Sequence, residues 1–460
     1  MNEKAAMSER ASMREKIGYG IGNVGFGALF ALVSSYIMYY YTDVAGIGVA
    51  AAGLIMTVSR FVDAITDPMM GTIVDRTNTK WGKARPYLLF MAVPLAVVTI
   101  IMFTTPSWSQ NGKFLYCLIA YVVFCVIYTT VDVPYSSMLS LMTDRQDDRM
   151  RFGGFRTMAS NIGGFIVTGA TLWLVAKIGM GNEQKGFSGA AVVFGLFAIA
   201  CLFFCFSSTK ERIKPINEKV YVKDGLRVAV KNKYWLLVIC MAFFSHLTAI
   251  MQAQSTMYYT KYYLENPGLA AGLLSLPKIV AIPTGILVPV VANKIGAKNC
   301  VLASSVLRSL ATIGLYLAGD NVAGLYIMRT LNAVGTSGTM CLIYVLCAET
   351  IDYTEWITGE RPNGIMTSIT GFMIKMGMTM AGLLSSFTLS LGGYVNNAEQ
   401  SAGALQAITA NYIWMPTVFP VIIVILILFY DLDGEKRNKI QEELRQRRQE
   451  KAAKKEAEAK

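Results

Sequence analysis

Two aspartates in an apolar run have the residue type and spacing to bind a cation or a proton. The run FVDAITDPMMGTIVDRTNTKWGKARP covers residues 61–86 and contains Asp63 and Asp67. Residues four apart project from one face of a helix, and Arg60 lies on the same stripe. Carboxylate oxygens are ligands for hard cations such as Na⁺, and protonation neutralises the same groups.

A third acid and a lysine are expected at the same depth. Asp132 precedes Asp144 by as many residues as Asp63 precedes Asp75, about 18 Å along a helix. Lys375 lies at a similar distance from the loop that precedes its own helix. Three acids against one lysine leave negative charge that an arriving cation or proton would neutralise.

Two hydroxyl groups complete the predicted cation site, and a structural reading stays open beside it. Thr66 and Thr129 are adjacent to these acids, although threonine also bonds to its own helix carbonyls. Buried Asp–Lys and Asp–Arg pairs can be purely structural. The predicted site comprises Asp63, Asp67, Asp132, Thr66 and Thr129, with Na⁺ at Asp63 and Asp67 as one form of it.

The composition indicates the setting of these residues. The chain is 54% hydrophobic and 16% charged, with a mean hydropathy of +0.44, which is typical of a membrane protein. Apolar stretches long enough to cross a bilayer recur about twelve times. The net charge of +12 is explained by basic loops and a basic tail, so we expect no nucleic-acid partner.

Charge distribution and repetition predict the organisation of the chain. Lysine and arginine concentrate in alternate loops, which predicts that both termini are cytoplasmic. Segments near the second and fifth spans have echoes six spans later. We predict an all-α protein: a six-helix bundle at 1–207, a cytoplasmic connector at 208–233, a second six-helix bundle at 234–430 and a charged tail at 431–460. The tail is expected to be a solvated helix or a disordered end.

The sequence gives no indication of an enzyme. It contains no H-E-x-x-H, G-x-S-x-G or cysteine–histidine set, and no soluble segment long enough for a catalytic domain. The eight cysteines form no C-x-x-C pair and are interpreted as small core residues. We therefore expect no covalent catalysis and no cofactor.

Several strings resemble one transporter family. GYGIGNVGF, YYYTDVAGIG, FVDAITDPMMGTIVDRTNTKWGKARP, YTTVDVPYSSM and IDYTEWITGERPNGIMTSITGFMIKMG together are similar to the glycoside-pentoside-hexuronide:cation symporters, of the major facilitator superfamily. The resemblance runs from about Gly18 to the last span, and YYYTDVAGIGVAAAG and KNCVLASSVL are closer to the glucuronide and xyloside branches. It implies uptake of a sugar, glycoside or hexuronide with Na⁺, H⁺ or Li⁺ by alternating access.

The resemblance also implies roles for individual residues. Asp63 and Asp67 match the acids of the cation site, Asp132 an acid shared by cation and sugar, and Arg156 and Lys375 sugar-site cations. Tyr128 and Tyr135 are candidate sugar-stacking rings, although such tyrosines are more often packing residues. The full predicted substrate set is Asp132, Arg156, Lys375, Tyr128, Tyr135 and Ser136.

Four positions depart from the melibiose permease of that family. Phe26 and Gly27 replace a lysine and a sugar-binding aspartate, Ser136 replaces a sugar-stacking tryptophan, and Thr66 replaces a cation-site asparagine. Melibiose and Na⁺ are both less expected as a result. The sequence leaves the sugar and the choice between H⁺ and Na⁺ open.

Charged residues in the basic loop and before the eleventh span are predicted to gate the transporter. Asp75, Arg76, Lys83, Arg85 and Asp352 would form pairs between the two halves; the alternative is that the basic residues only set topology. Two other functions remain open, a transporter of lysolipids or other amphiphiles and an uncoupled sugar facilitator. We expect a monomer in the bacterial cytoplasmic membrane, with a small sugar or glycoside and the bilayer as partners; a regulatory partner of the tail is unknown.

Overall fold

The structure, a computed structural model, describes residues 11–143, 146–212, 230–359, 363–432, 434, 436–440, 442–444 and 446–447. Within these ranges ten side chains are excluded from the description: Arg60, Ala64, Asp75, Ser140, Gln146, Asp147, Arg149, Met150, Asn363 and Gly364. The predicted gate residue Asp75 is among them.

Helices make up the regular structure of the described residues, apart from one isolated bridge between Thr79 and Gly82. The first seven helices are α1 (Met13–Tyr39), α2 (Val49–Arg76), α3 (Arg85–Phe90), α4 (Ala92–Met102), α5 (Gln110–Met142), α6 (Gln146–Gly179) and α7 (Glu183–Ser208). The next seven are α8 (Lys233–Tyr258), α9 (Leu269–Ile295), α10 (Ala297–Ala318), α11 (Val322–Thr358), α12 (Asn363–Leu391), α13 (Ala402–Thr409) and α14 (Met415–Leu428). Short π-helical turns at Tyr40–Val44, Tyr259–Tyr263 and Ala410–Trp414 extend α1, α8 and α13.

The described part of the chain contains eleven helical segments long and apolar enough to cross a membrane. The third apolar stretch of the sequence, at residues 87–104, is instead built from α3 and the shorter apolar helix α4. They meet at Met91, and Pro94 explains the break because it has no N–H to continue the ladder and its ring crowds the carbonyl of Phe90. The predicted all-α membrane protein is therefore confirmed.

Helix α1 begins with a capping box and packs through small residues. Ser12 and Glu15 exchange side-chain-to-backbone hydrogen bonds, which satisfies donors that the first turn cannot pair. Further along, α1 packs closely on α6 and α7. A Cβ atom on Gly25 would lie 2.6 Å from the Cβ of Cys201, so glycine is what allows α1 and α7 to approach.

The chain forms two compact units, each of which is built from three separate segments. The first contains Met1–Asn217, Ile250–Ile282 and Thr379–Tyr412, and the second contains Glu218–Ala249, Pro283–Met378 and Ile413–Lys460. The divisions between them fall inside α8, α9 and α12. The six-plus-six arrangement and the cytoplasmic termini stay predictions.

The described part of the tail is helical and mostly exposed, but two apolar residues on one face of it are buried. Ile440 and Leu444 are each only 4% exposed and belong to the apolar core of the second unit. Arg437 forms an ion pair with Glu349 at 3.1 Å, and the indole of Trp356 donates to Glu443 at 2.6 Å. Ile440 and Leu444 are four residues apart among alternating charges, so they lie on one face of the segment, and that face is buried.

Candidate functional site

The predicted cation residues of α2 and α5 lie next to each other in the first unit. Asp63 is 6% exposed and Asp67 is half-buried. Thr129 of α5, buried, donates from Oγ1 to Oδ1 of Asp67 at 3.0 Å. Thr66 donates instead to the main-chain oxygen of Asp63 at 3.4 Å, which is the self-bonding alternative considered for threonine. The contact places Thr129, more directly than Thr66, at the carboxylates.

The two faces of α2 differ as a membrane helix requires. Phe61 and Ile65 are both 64% exposed and Met69 is 57% exposed, at a spacing of four residues. Asp63 and Asp67 lie on the other side, where α2 packs on α5. An apolar face suits lipid, while the carboxylates are kept within protein, where polar groups can pair.

The predicted sugar residues Asp132 and Arg156 form an ion pair. An Nη atom of Arg156 lies 3.6 Å from Oδ1 of Asp132, and both side chains remain partly accessible, at 35% and 25%. The guanidinium also lies over the ring of Tyr135, 5.2 Å from its centre. Asn23 of α1 donates to the main-chain oxygen of Arg156 at 2.8 Å, which fixes the backbone from which the guanidinium extends.

Tyr135 is held by a reciprocal contact with Tyr19. Each hydroxyl donates to the other residue's main-chain oxygen, at 2.7 Å from Tyr135 and 3.4 Å from Tyr19, and the rings stack with centres 4.3 Å apart. Tyr135 is fully buried, so in this conformation it is a packing residue, which is the alternative to a sugar-stacking role. Tyr128 is half-buried against Phe26 and Phe30, and Ser136 is exposed.

Lys375 lies on α12 in the second compact unit and is half-buried. Its predicted convergence with the three acids stays a prediction. Among the described residues, no three His, Cys, Asp or Glu side chains come together in a way that could hold a metal ion. A Na⁺ ion would therefore depend on hydroxyl and main-chain oxygens beside the carboxylates.

The string DRTNTKWGKARP is organised around Glu211, which sequence reasoning missed. The Glu211 carboxylate accepts from the main-chain N–H groups of Lys83, Ala84 and Arg85, at 2.7–2.9 Å. Gly82 has φ of +109°, and a Cβ there would lie 2.5 Å from this carboxylate, so both conformation and space require glycine. The string thus anchors the start of α3 to the segment after α7.

The predicted gate residues Arg76, Arg85 and Asp352 lie in different surroundings. The guanidinium of Arg85 donates to the main-chain oxygens of Trp81 and Phe206, and Arg76 is exposed. Asp352 lies on α11 in the second unit and is half-buried. Pairing of these groups between the two halves of the sequence remains a prediction.

A polar cluster around Asp43, also missed from the sequence, joins distant parts of the first unit. The Asp43 side chain is fully buried at the end of α1 and accepts from Tyr394 at 2.8 and 3.0 Å and from Lys261 at 3.2 Å. Tyr262 also donates to it. We call these four residues the Asp43 cluster.

Neighbouring groups reinforce the Asp43 cluster. Asn397 donates to the main-chain oxygen of Asp43 and accepts from Lys261 at 2.8 Å, while Thr42 and Tyr258 share a hydrogen bond of 2.7 Å. Burial, and next the charge of Asp43, raise the pKa of the Tyr394 phenol well above its usual range. The phenol therefore stays protonated and donating at physiological pH.

Comparisons with known proteins identify the class. The family described as MFS/sugar transport protein matches residues 18–434. The isoprimeverose transporter of Lactiplantibacillus pentosus is 34% identical over 91% of this chain and 88% of that protein. The inner membrane symporter YicJ of Escherichia coli (strain K12) is 29% identical over 95% of this chain and 96% of that protein. The crystal structure of a D-xylose-proton symporter has a TM-score of 0.65 at 13% identity, covering 91% of this chain and 97% of that one.

The chain belongs to the MFS/sugar transport protein family, and the resemblance to glycoside-pentoside-hexuronide:cation symporters is confirmed. It has the major facilitator fold and is a multi-pass protein of the bacterial cytoplasmic membrane. It is a cation-coupled sugar symporter, in a family of transporters. The lysolipid and uncoupled alternatives receive no support from these relatives.

Proposed function

We propose that the protein imports a glycoside together with H⁺ or Na⁺, and that α5 couples the two sites. The proposal rests on one observation: the same face of α5 contacts the predicted cation residues and the predicted sugar residues. Thr129 binds Asp67 of α2, and Asp132, three residues later, pairs with Arg156 of α6. Residues three apart on a helix are neighbours, so the charge state of the α2 acids acts on the Asp132–Arg156 pair across about one turn.

Neutralisation of the α2 carboxylates is the coupling step in this proposal. With Asp63 and Asp67 ionised, the negative charge around α5 favours Arg156 close to the acids. A proton or cation at Asp63 and Asp67 removes part of that field, which frees Arg156 and Asp132 to bind sugar hydroxyls. Thr66 serves as a further oxygen ligand, and Lys375, Tyr128, Tyr135 and Ser136 complete the sugar site in the substrate-loaded state. No covalent chemistry takes place.

A neutral pentose-containing glycoside is the substrate that we favour. Arg156 already has a carboxylate partner in Asp132, so a second carboxylate from a hexuronide would compete with a built-in one. A relative at 34% identity is an isoprimeverose transporter. A hexuronide is the alternative, with Lys375 as its cationic partner.

The Asp43 cluster is proposed as the gate on the extracytoplasmic side. It joins the end of α1, in the N-terminal half of the sequence, to residues 258–263 and 394–397, which both lie in the C-terminal half. Alternating access requires such segments to separate once in each cycle. Arg76, Lys83, Arg85 and Asp352, with Asp75, form the opposite gate, on the side of the predicted cytoplasmic termini.

Uptake into proteoliposomes tests the proposal. A labelled β-xyloside, β-glucuronide and α-galactoside are offered under an imposed Na⁺ or proton gradient to the wild type and to Asp63→Asn, with Glu265→Gln, an exposed acid, as control. We expect β-xyloside accumulation that follows one gradient and is lost in Asp63→Asn alone. Equilibration independent of both gradients in every protein would contradict symport.

A further inference from the structure

Arg308 is a buried arginine that the transport mechanism does not use. It lies on α10 in the second unit and is 1% exposed. One Nη atom donates to the main-chain oxygen of Ser245 on α8, at 3.4 Å. Its Nε and its other Nη atom are buried and have no hydrogen-bond partner among the described residues. A guanidinium stays charged at any physiological pH, so these N–H groups carry a high cost of burial.

A second buried donor without a partner in the described structure belongs to Ser245, the residue whose main-chain oxygen Arg308 contacts. This donor is the Ser245 hydroxyl. The Nε–H and the second Nη–H of an arginine point from one edge of its plane, in the fork that holds anions. Arg308 Nε, the second Arg308 Nη atom and the Ser245 hydroxyl are therefore three donor groups without a hydrogen-bond partner among the described residues.

The surroundings supply positive charge and few free acceptors. Arg329 on α11 lies close enough to add its charge to the field at Arg308, and it donates to Asn332 at 3.2 Å. The Asn332 amide then donates to Thr312 at 2.8 Å, and Thr312 to the main-chain oxygen of Arg308 at 2.7 Å. This chain of bonds uses the nearby oxygens internally.

No acid in the neighbouring spans can act as the counter-ion. Residues 233–258, 297–318, 322–348 and 415–428 contain no aspartate or glutamate. The first acid further along α11, Glu349, is about 25 Å along the helix axis from Asn332 and pairs with Arg437. A buried guanidinium with two donor atoms unpartnered within the described ranges, on helices whose membrane spans contain no acid, favours an anion from solution.

We propose that Arg308 and Ser245 bind a small monovalent anion, of which chloride is the commonest. The anion accepts from the free edge of the guanidinium and from the Ser245 hydroxyl, and Arg329 adds to its electrostatic stabilisation. Bound there, it neutralises the interior of the α8–α10–α11 packing and stabilises the folded second unit in proportion to its concentration.

Halide-dependent thermal stability tests this site without any transport assay. The midpoint of unfolding of the purified full chain is followed while chloride or bromide replaces gluconate at constant ionic strength. We expect a saturable rise in the wild type, an unchanged rise in Ser309→Ala, and a rise that needs about tenfold more halide in Ser245→Ala. Ser309 is the matched control because its hydroxyl already bonds to the main-chain oxygen of Thr417.

Bromide locates the anion directly. Crystals grown in bromide should show an anomalous peak within hydrogen-bond distance of Arg308, absent in Arg308→Met. If Arg308→Met does not fold, the Ser245→Ala titration and the wild-type crystal still decide. A wild-type protein with no halide dependence, or a bromide crystal without a peak at Arg308, would overturn the proposal and leave water as the partner.

Discussion

The Thr129 hydroxyl donates to Oδ1 of Asp67 at 3.0 Å, and this bond joins α5 to α2 at the predicted cation acids. Three residues further along α5, Asp132 pairs with Arg156. The same helix therefore contacts both the predicted cation residues and the predicted sugar residues. In the proposed mechanism, this arrangement lets one site respond to the other through a single helix.

Thr129→Val is expected to weaken cation coupling. A hydrogen bond to a charged group contributes about 1.5–3 kcal/mol, so the concentration of coupling ion for half-maximal uptake should rise about tenfold or more. Thr130→Val is the matched control, because the Thr130 hydroxyl bonds to the main-chain oxygen of Ile127 at 2.6 Å. Uptake measured against ion concentration gives this value for each variant. Equal changes in Thr129→Val and Thr130→Val would contradict a role for Thr129 in the cation site.

Separating Asp132 from Arg156 is expected to affect sugar binding more than folding. Both side chains are partly accessible, so Arg156→Lys should retain the charge but lose the fork and the contact with the Tyr135 ring. We expect sugar affinity to fall about tenfold, with a change in stability below about 1 kcal/mol. Calorimetric sugar titration and thermal unfolding measure the two; unchanged affinity would contradict a sugar role.

Opening the Asp43 cluster should change transport rates more than sugar affinity. Tyr394→Phe removes one hydroxyl that donates to the buried Asp43 carboxylate, which shifts the equilibrium away from the closed gate by about 1–3 kcal/mol. Sugar exchange rates are compared with sugar affinity, with Tyr116→Phe, whose hydroxyl bonds to Ile101, as control. Because burial and the charge of Asp43 raise the pKa of the Tyr394 phenol, this one hydrogen bond should persist between about pH 6 and 9.

A double-mutant cycle tests the same gate energetically. Asp43→Asn and Tyr394→Phe both act on one hydrogen-bonded contact, so their effects on the unfolding midpoint should not add. Lys261 and Tyr262 remain in place in every variant of the cycle. Additive effects would mean that the two residues stabilise the protein independently and do not form one gate.

Loss of Glu211 should loosen the start of α3. Its carboxylate serves three main-chain donors, and Glu211→Ala leaves them unpaired, at a cost of about 1–3 kcal/mol. Thermal unfolding measures the loss, and Glu265→Gln, an exposed acid in a turn, should show none. Gly82→Ala should be at least as harmful, because its positive φ and the nearby carboxylate both exclude a side chain.

The tail is expected to contribute to folding. Leu444 is 4% exposed in the core of the second unit, so Leu444→Ala should lower the free energy of unfolding by about 2–4 kcal/mol. Lys439→Ala, at an exposed position of the same segment, is the control. An unchanged unfolding midpoint for Leu444→Ala would contradict a contribution of the tail to folding.

Sequence alone determined the class of this protein. Long apolar stretches must become helices in a bilayer, because main-chain groups there need internal partners, and the motifs around Asp63, Asp132 and Lys375 were sufficient to predict the family. Helical periodicity also predicted correctly that Asp63 and Asp67 lie away from the apolar face of α2. These inferences depend on residues close together in the chain, where local geometry is fixed.

Tertiary structure alone decided which residues meet. Asp43 stands in a motif that the sequence singled out, yet its partners Lys261, Tyr262 and Tyr394 lie 218 to 351 residues away. The anchoring of Lys83 by Glu211 and the burial of Leu444 depend equally on packing between distant segments. Such contacts arise from how the helices pack together, and the periodicity of a single segment contains no information about its neighbour.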